Sequence, residues 1–182
     1  MSKVIASFNM TLDGNCDHTA GLPDEEIHDH YTELLQQGSA ILYGRTTYQL
    51  MEFWRTVLEN PSEEKSMQDF ARAIDRIPKI IFSRTLQHTD WQSASLATQD
   101  LQSTVSLLRK EMEKPIFVGS RSLIIQLMNL RLIDELQLCI HPVIAGKGLT
   151  LFDSIADRTV LRLMKTKTFK GGAVNLYYTL KP

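Results

Sequence analysis

Apolar and polar positions along this chain repeat with two periods, and each change of period marks an element. "VIASFNM" (4–10) is a short β-compatible run, closed by "LDGN" as a turn. "PDEEIHDHYTELLQQG" then spaces Ile27, Tyr31, Leu34 and Leu35 helically, with Pro23 and three acids at its start and Gly38 at its end. "AILYG" (40–44) predicts a second strand, followed by a helix opening near Arg45 or Thr46. "RTVLENPSEEK" reads as a loop, after which Ser62 is placed to cap a helix presenting Met67, Phe70, Ala71 and Ile74 on one face. "KIIFS" (79–83) is a third strand, and "TDWQSASLA" a weaker strand or an irregular stretch. "TQDLQSTVSLLRKEMEK" aligns Leu101, Val105, Leu108 and Met112 as an amphipathic helix. "PIFVG" (115–119) is a fourth clear strand, and "SRSLIIQLMNLRL" a serine-capped helix.

From residue 133 the character changes. "IDELQLCIHPVIAG", "TVLRLMKTKTF" and "AVNLYYTL" read as extended strands with short or glycine-containing connections. Alternating strand and helix followed by consecutive strands predicts an α/β fold: a mixed, mainly parallel sheet with antiparallel additions at the end. No repeat, low-complexity tract or linker divides the chain, so 1–182 is expected to form one domain.

Composition narrows the function classes. Of 182 residues, 43% are hydrophobic and 23% charged, ordinary for a globular protein. A formal charge of −1 argues against a dedicated nucleic-acid binder. Cys16 and Cys139 form neither a disulfide framework nor a zinc motif. His28 and His30 lie two apart on a helix and share no face, so no metal site is expected. The N-terminal run lacks a targeting pattern, and no 18 consecutive apolar residues occur. The expectation is a soluble cytoplasmic protein without a membrane or nucleic-acid partner.

Candidate chemistry gathers at strand ends. "AILYG" runs into Gly44, Arg45 and Thr46, "KIIFS" into Ser83, Arg84 and Thr85, and "PIFVG" into Gly119, Ser120, Arg121 and Ser122. Each junction offers a hydroxyl and an arginine where a helix or loop begins, a combination suited to phosphate groups. Singly, such a junction is ordinary punctuation; three together point to a dinucleotide or another phosphate-bearing ligand. Neither G-x-G-x-x-G after the first strand nor a P-loop is present, so scattered strand ends must hold it.

"MTLDGN", "LYGRTTYQLM", "KIIFSRTL", "FVGSRSLIIQLM" and "LIDELQLCIHPVIAGKGLTLF" together resemble the ordered motifs of the dihydrofolate reductase superfamily. The nearer branch is the reductase domain of riboflavin biosynthesis and its stand-alone relatives. That resemblance implies a dihydrofolate-reductase-like three-layer αβα sandwich with NADPH as hydride donor. It implies pyrophosphate contacts at Gly44, Arg45 and Thr46, and contacts to the adenosine ribose and its 2′-phosphate at Ser83, Arg84 and Thr85. Gly119, Ser120, Arg121 and Ser122 match a glycine-rich turn against the cofactor, with Gly-Ser where dihydrofolate reductases carry Gly-Gly. It further implies a homodimer, with the strand-rich C-terminal half as interface.

At the substrate end the same resemblance points to the first strand and its loop. Asn9 is expected to face nicotinamide or substrate, and Asp13 is the candidate functional carboxylate, although an aspartate before Gly14 is also an ordinary turn residue. Glu25 is the nearest match to the pterin-binding acid, although an acid in a first helical turn also serves the helix dipole. Lys147 in "AGKG" departs from the apolar or glycine residues usual there. The expected activity is NADPH-dependent reduction of a small heterocycle, either a 5-amino-6-(5-phosphoribosylamino)uracil-like pyrimidine or a pterin/dihydrofolate-like molecule. The alternative is an NADPH-binding sensor or degenerate paralogue without turnover. No H-x-E…P-C-x-x-C signature occurs, so a deaminase domain is not expected.

Overall fold

A computed structural model describes residues 1–180. Its elements are β1 (Val4–Thr11), α1 (Glu25–Gln36), β2 (Ala40–Gly44), α2 (Arg45–Met51), α3 (Phe53–Glu59), α4 (Lys65–Arg76) and β3 (Lys79–Phe82). There follow β4 (Ala94–Leu96), α5 (Leu101–Glu111), β5 (Ile116–Val118), α6 (Arg121–Asn129), β6 (Glu135–His141), β7 (Arg162–Thr168) and β8 (Val174–Thr179). One eight-stranded sheet runs in the order β4-β3-β2-β5-β1-β6-β8-β7. Strands β1 to β6 pair in parallel, whereas β8 runs antiparallel to both β6 and β7.

Strand periodicity separates the two faces. Ile5, Ile41, Tyr43, Ile81 and Phe117 project to one side, where they pack with Leu35 of α1, Tyr48 of α2 and Ile74 of α4. Val4, Ala6, Leu42, Ile116 and Val118 project to the other, against Val105 and Leu108 of α5 and Ile124 and Leu127 of α6. The result is the three-layer αβα sandwich with a mainly parallel sheet and antiparallel C-terminal strands that the sequence led us to expect.

Three local details differ from the sequence reading. Residues 55–59, expected in a loop, lie in α3, because Val57 is buried and the neighbouring Trp54 ring packs edge-on to Phe70 of α4 at 4.6 Å. Ser62 does not cap α4 directly; the N-cap is Glu64, and Ser62 Oγ accepts from Glu64 N at 3.1 Å. Ser120 stands at the N-cap of α6, yet its hydroxyl makes no capping bond. Cys16 and Cys139 are both free and buried.

The connectivity places a crevice. β2 leads into α2 on the first face, while its neighbour β5 leads into α6 on the second. Beyond β5, β1 leads back to α1 on the first face. Adjacent parallel strands whose helices leave on opposite sides open a gap at their C-terminal ends, the usual ligand position in such sheets.

Candidate functional site

Along the C-terminal edge of the sheet, β3, β2 and β5 are consecutive strands, so the three polar junctions stand side by side. Two hydrogen bonds connect them. Gly44 N donates to Ser120 Oγ at 2.8 Å, and one Arg45 nitrogen donates to Thr85 Oγ1 at 2.7 Å. Glycine is required for close approach at Gly119, and the fit is tight at Gly44. A Cβ on Gly119 would lie 2.6 Å from the ring of buried Tyr43, and one on Gly44 would lie 3.3 Å from Ser122 Oγ.

The polar groups are not equally free. Ser120 is 2% exposed and its hydroxyl is used by Gly44. Ser83 Oγ accepts from Thr85 N and Leu86 N, fixing the turn after β3. Arg121 is turned away from the other arginines: its Nε donates to Thr150 O at 2.6 Å and its guanidinium pairs with Asp153. The expectation of three arginines converging on one anion therefore reduces to Arg45 and Arg84, both exposed, with Thr46 and Ser122 exposed beside them. Arg121 instead fastens the segment after β6, where Thr150 O and the Asp153 carboxylate take up its guanidinium.

Asp13 shares that fastening role. Its carboxylate accepts from the Thr11 hydroxyl, from Ala145 N at 3.1 Å and from Gly146 N at 2.7 Å. These bonds, led by the Thr11 hydroxyl, pull its pKa down to about 2. A carboxylate ionised that firmly has no proton to give at neutral pH. Asn15 adds a bond from Nδ2 to Lys147 O at 2.8 Å, and an isolated bridge joins Asn15 to Thr150.

Asn9 belongs to a different group. Its Oδ1 lies 3.1 Å from the Tyr31 hydroxyl of α1 and 3.1 Å from His141 Nε2 at the end of β6. His141 is 1% exposed, and its Nδ1 accepts from Leu22 N at 3.0 Å. Burial lowers its pKa and keeps the imidazole neutral near neutral pH. Burial also raises the Tyr31 phenol well above its ordinary range. Glu25 is not brought to this group: it is exposed at the first position of α1, while Asp24 caps the helix and Glu26 accepts from Lys170 N at 2.7 Å.

Sequence reasoning missed Tyr31 and His141 as site residues. Tyr31 carries the helical spacing of a core residue, and His141 stands 132 positions from Asn9. The available signal was weak: a polar residue near the C-terminal end of two strands that turn out to be neighbours. Among the described residues no group of three or more His, Cys, Asp or Glu could hold a metal ion. No helix there is long and apolar enough to cross a membrane.

The profile of the RibD C-terminal domain family matches residues 2–175. The protein YyaP of Bacillus subtilis (strain 168) is 34% identical over 180 residues, covering 97% of this chain and 94% of YyaP. Among solved structures, a putative riboflavin biosynthesis protein from Shewanella sp. PV-4 superposes with a TM-score of 0.72 at 16% identity, covering 100% of both chains. A pyrimidine reductase-like protein from Corynebacterium diphtheriae gives 0.69 at 16% identity, covering 100% of this chain and 92% of its own. At such identities these structures establish the fold.

Proposed function

Because the chain belongs to the RibD C-terminal domain family, a family of reductase domains, we propose that it is an NADPH-dependent reductase of a small heterocyclic substrate. The observation that carries this reading is the row of strand ends β3, β2 and β5, which presents two exposed guanidiniums, exposed hydroxyls and glycine-lined backbone along one edge. The groups present fit a dinucleotide. Gly119 and Gly44 lie where a side chain would crowd the turn, and the arginines supply charge for phosphates.

Arg45, Thr46 and the Gly44 backbone would hold the pyrophosphate, with Thr85 steadying Arg45. Arg84, with Ser83 shaping its turn, would take the adenosine end and its 2′-phosphate. The backbone of Gly119–Ser120 and the Ser122 hydroxyl would lie against the remainder, and Arg121 would act by holding the loop above. Bound there, the nicotinamide supplies the hydride. Asn9 and Tyr31 face the substrate from the first layer, and Asp13 fixes the 143–148 loop rather than delivering a proton. Substrates of pyrimidine or pterin type suit a crevice of this kind, and Glu25 is too peripheral to anchor a pterin cation.

Two measurements test this. Thermal unfolding with NADPH at about 100 times its dissociation constant should show about 2.7 kcal/mol of added stability. A panel of dihydrofolate, pyrimidinone and quinone substrates should then include one that causes loss of NADPH absorbance. Binding without oxidation of NADPH by any of them would favour a sensor; no thermal shift at all removes the cofactor assignment.

A further inference from the structure

The Asn9 group contains a hydrogen-bond sequence whose direction is fixed by chemistry. Leu22 N–H can only donate, so His141 Nδ1, 3.0 Å away, must accept. A neutral imidazole that accepts at Nδ1 carries its proton on Nε2. Nε2 therefore donates to the Asn9 atom 3.1 Å away, which must be the oxygen. The Tyr31 hydroxyl donates to the same oxygen at 3.1 Å. With Oδ1 taking both donors, the carboxamide cannot flip without setting N–H against N–H. Its Nδ2, with two protons, is left to the exposed side of β1, without a hydrogen bond among the described residues.

The lock is also sterically closed. A Cβ on Gly21 would lie 3.1–3.3 Å from three atoms of the His141 ring, so this glycine lets the 21–22 segment sit against the imidazole. Asn9 itself pairs with Cys139 across the β1–β6 ladder, two residues short of the end of β1. That level lies beyond the point where β1 and β5 separate, the last pair being Ala6 with Val118. The free amide thus stands at the open crevice, on the side of α1.

We infer that Asn9 Nδ2 is a contact residue that recognises a carbonyl oxygen of the substrate, and that His141 is the positioning residue that locks the amide in that orientation. With the Tyr31 hydroxyl proton and the His141 Nε2 proton both directed to Asn9 Oδ1, the donors that Asn9, Tyr31 and His141 leave for a ligand are the two neutral Nδ2 protons of Asn9. A ligand offering a carbonyl acceptor fits; one offering amino donors or a ring cation meets N–H against N–H. This deepens the reductase reading, on which it rests for the identity of the crevice as the substrate end.

Uracil and 2,4-diaminopyrimidine form a matched pair of probes: one ring size, with carbonyls in one replaced by amino groups in the other. Equilibrium titrations with and without NADP+, followed by calorimetry and by the side-chain amide resonances of 15N-labelled protein, read the preference directly. Wild type should bind uracil about tenfold or more tighter, with a shift of the Asn9 amide signal. Asn9→Asp, which keeps the shape and replaces the donor by an acceptor, should reverse the order, and Asn9→Leu should abolish the preference. His141→Leu should lower the ratio of the two affinities while His141→Gln, which retains a donor, restores most of it. A general packing defect would weaken both probes alike. Equal binding of the two probes by wild type, a preference for the diamine, or no uracil binding up to its solubility limit would each overturn the inference. Failure of NADP+ to bind while uracil is still preferred would count against the reductase reading alone.

Discussion

Arg84 makes the sharpest statement at the scale of single residues. It is exposed at the end of β3, where the Ser83 turn sets the backbone that presents it. If it pairs with a 2′-phosphate, Arg84→Ala should weaken NADPH by about tenfold or more while barely affecting NADH, since a charge-assisted bond contributes about 1.5–3 kcal/mol. Competition binding with the two nucleotides checks this, and equal losses would remove the assignment. Lys79 is a second informative residue, away from the crevice. Only 1% exposed, its amine donates to Ser93 Oγ at 2.6 Å and Ile77 O at 3.0 Å and lies 4.0 Å from the centre of the Trp91 ring. Burial pushes its pKa down from 10.5 to about 8. Between those two values the unfolded chain holds the extra proton, so stability rises with pH across that window and is flat below it. Thermal melts between pH 8 and 10.5 should show wild type gaining on Lys79→Met as pH increases.

Among the elements, the segment between β6 and β7 is held by side chains from elsewhere, among them Asp13, Asn15, Arg121 and Asn129. Asp13 was legible as a carboxylate of interest, but its sequence context supports a turn residue and a functional carboxylate equally; its role as a loop anchor appears only in the structure. Only the position of Ala145 and Gly146 over the end of β1 distinguishes them. Asp13→Ala should accelerate amide hydrogen exchange at Ala145 and Gly146 by about tenfold while β1 and β6 keep their protection. Unchanged exchange there would show that the loop is held by other contacts. Helix α3 illustrates the opposite limit. Residues 55–59 carry no long apolar stripe, and the helix forms because Val57 and the neighbouring Trp54 find α4 beside them. Tertiary packing can favour a helix that local pattern does not announce.

The whole molecule presents one long unpaired edge. Every residue of β7 is exposed, including Leu163 at 51% and Met164 at 52%, and the strand has a partner on one side only. Such an edge is an invitation to pair with another chain. We propose that two copies associate through this C-terminal strand region. Light scattering after size exclusion should give twice the mass of 20.7 kDa, and Leu163→Glu with Met164→Glu should return the monomer. A monomeric wild type would refute the proposal.

The chain by itself determined the α/β class with a mixed sheet, the antiparallel ending and the strand-end polar junctions. Hydrophobic period and glycine placement are local properties, written residue by residue. It determined the helix of Leu101–Glu111 for the same reason, since Leu101, Val105 and Leu108 mark one face without outside help. It could not show that β8 inserts between β6 and β7, because strand order is set by which faces bury one another. Nor could it show that Arg121 turns to Asp153 while Arg84 stays exposed, because both follow a strand in the same manner. The Asn9–His141 pair is the clearest case. Separated by 132 positions, its chemistry exists only once β1 and β6 lie side by side and Leu22 N–H fixes which imidazole nitrogen holds the proton.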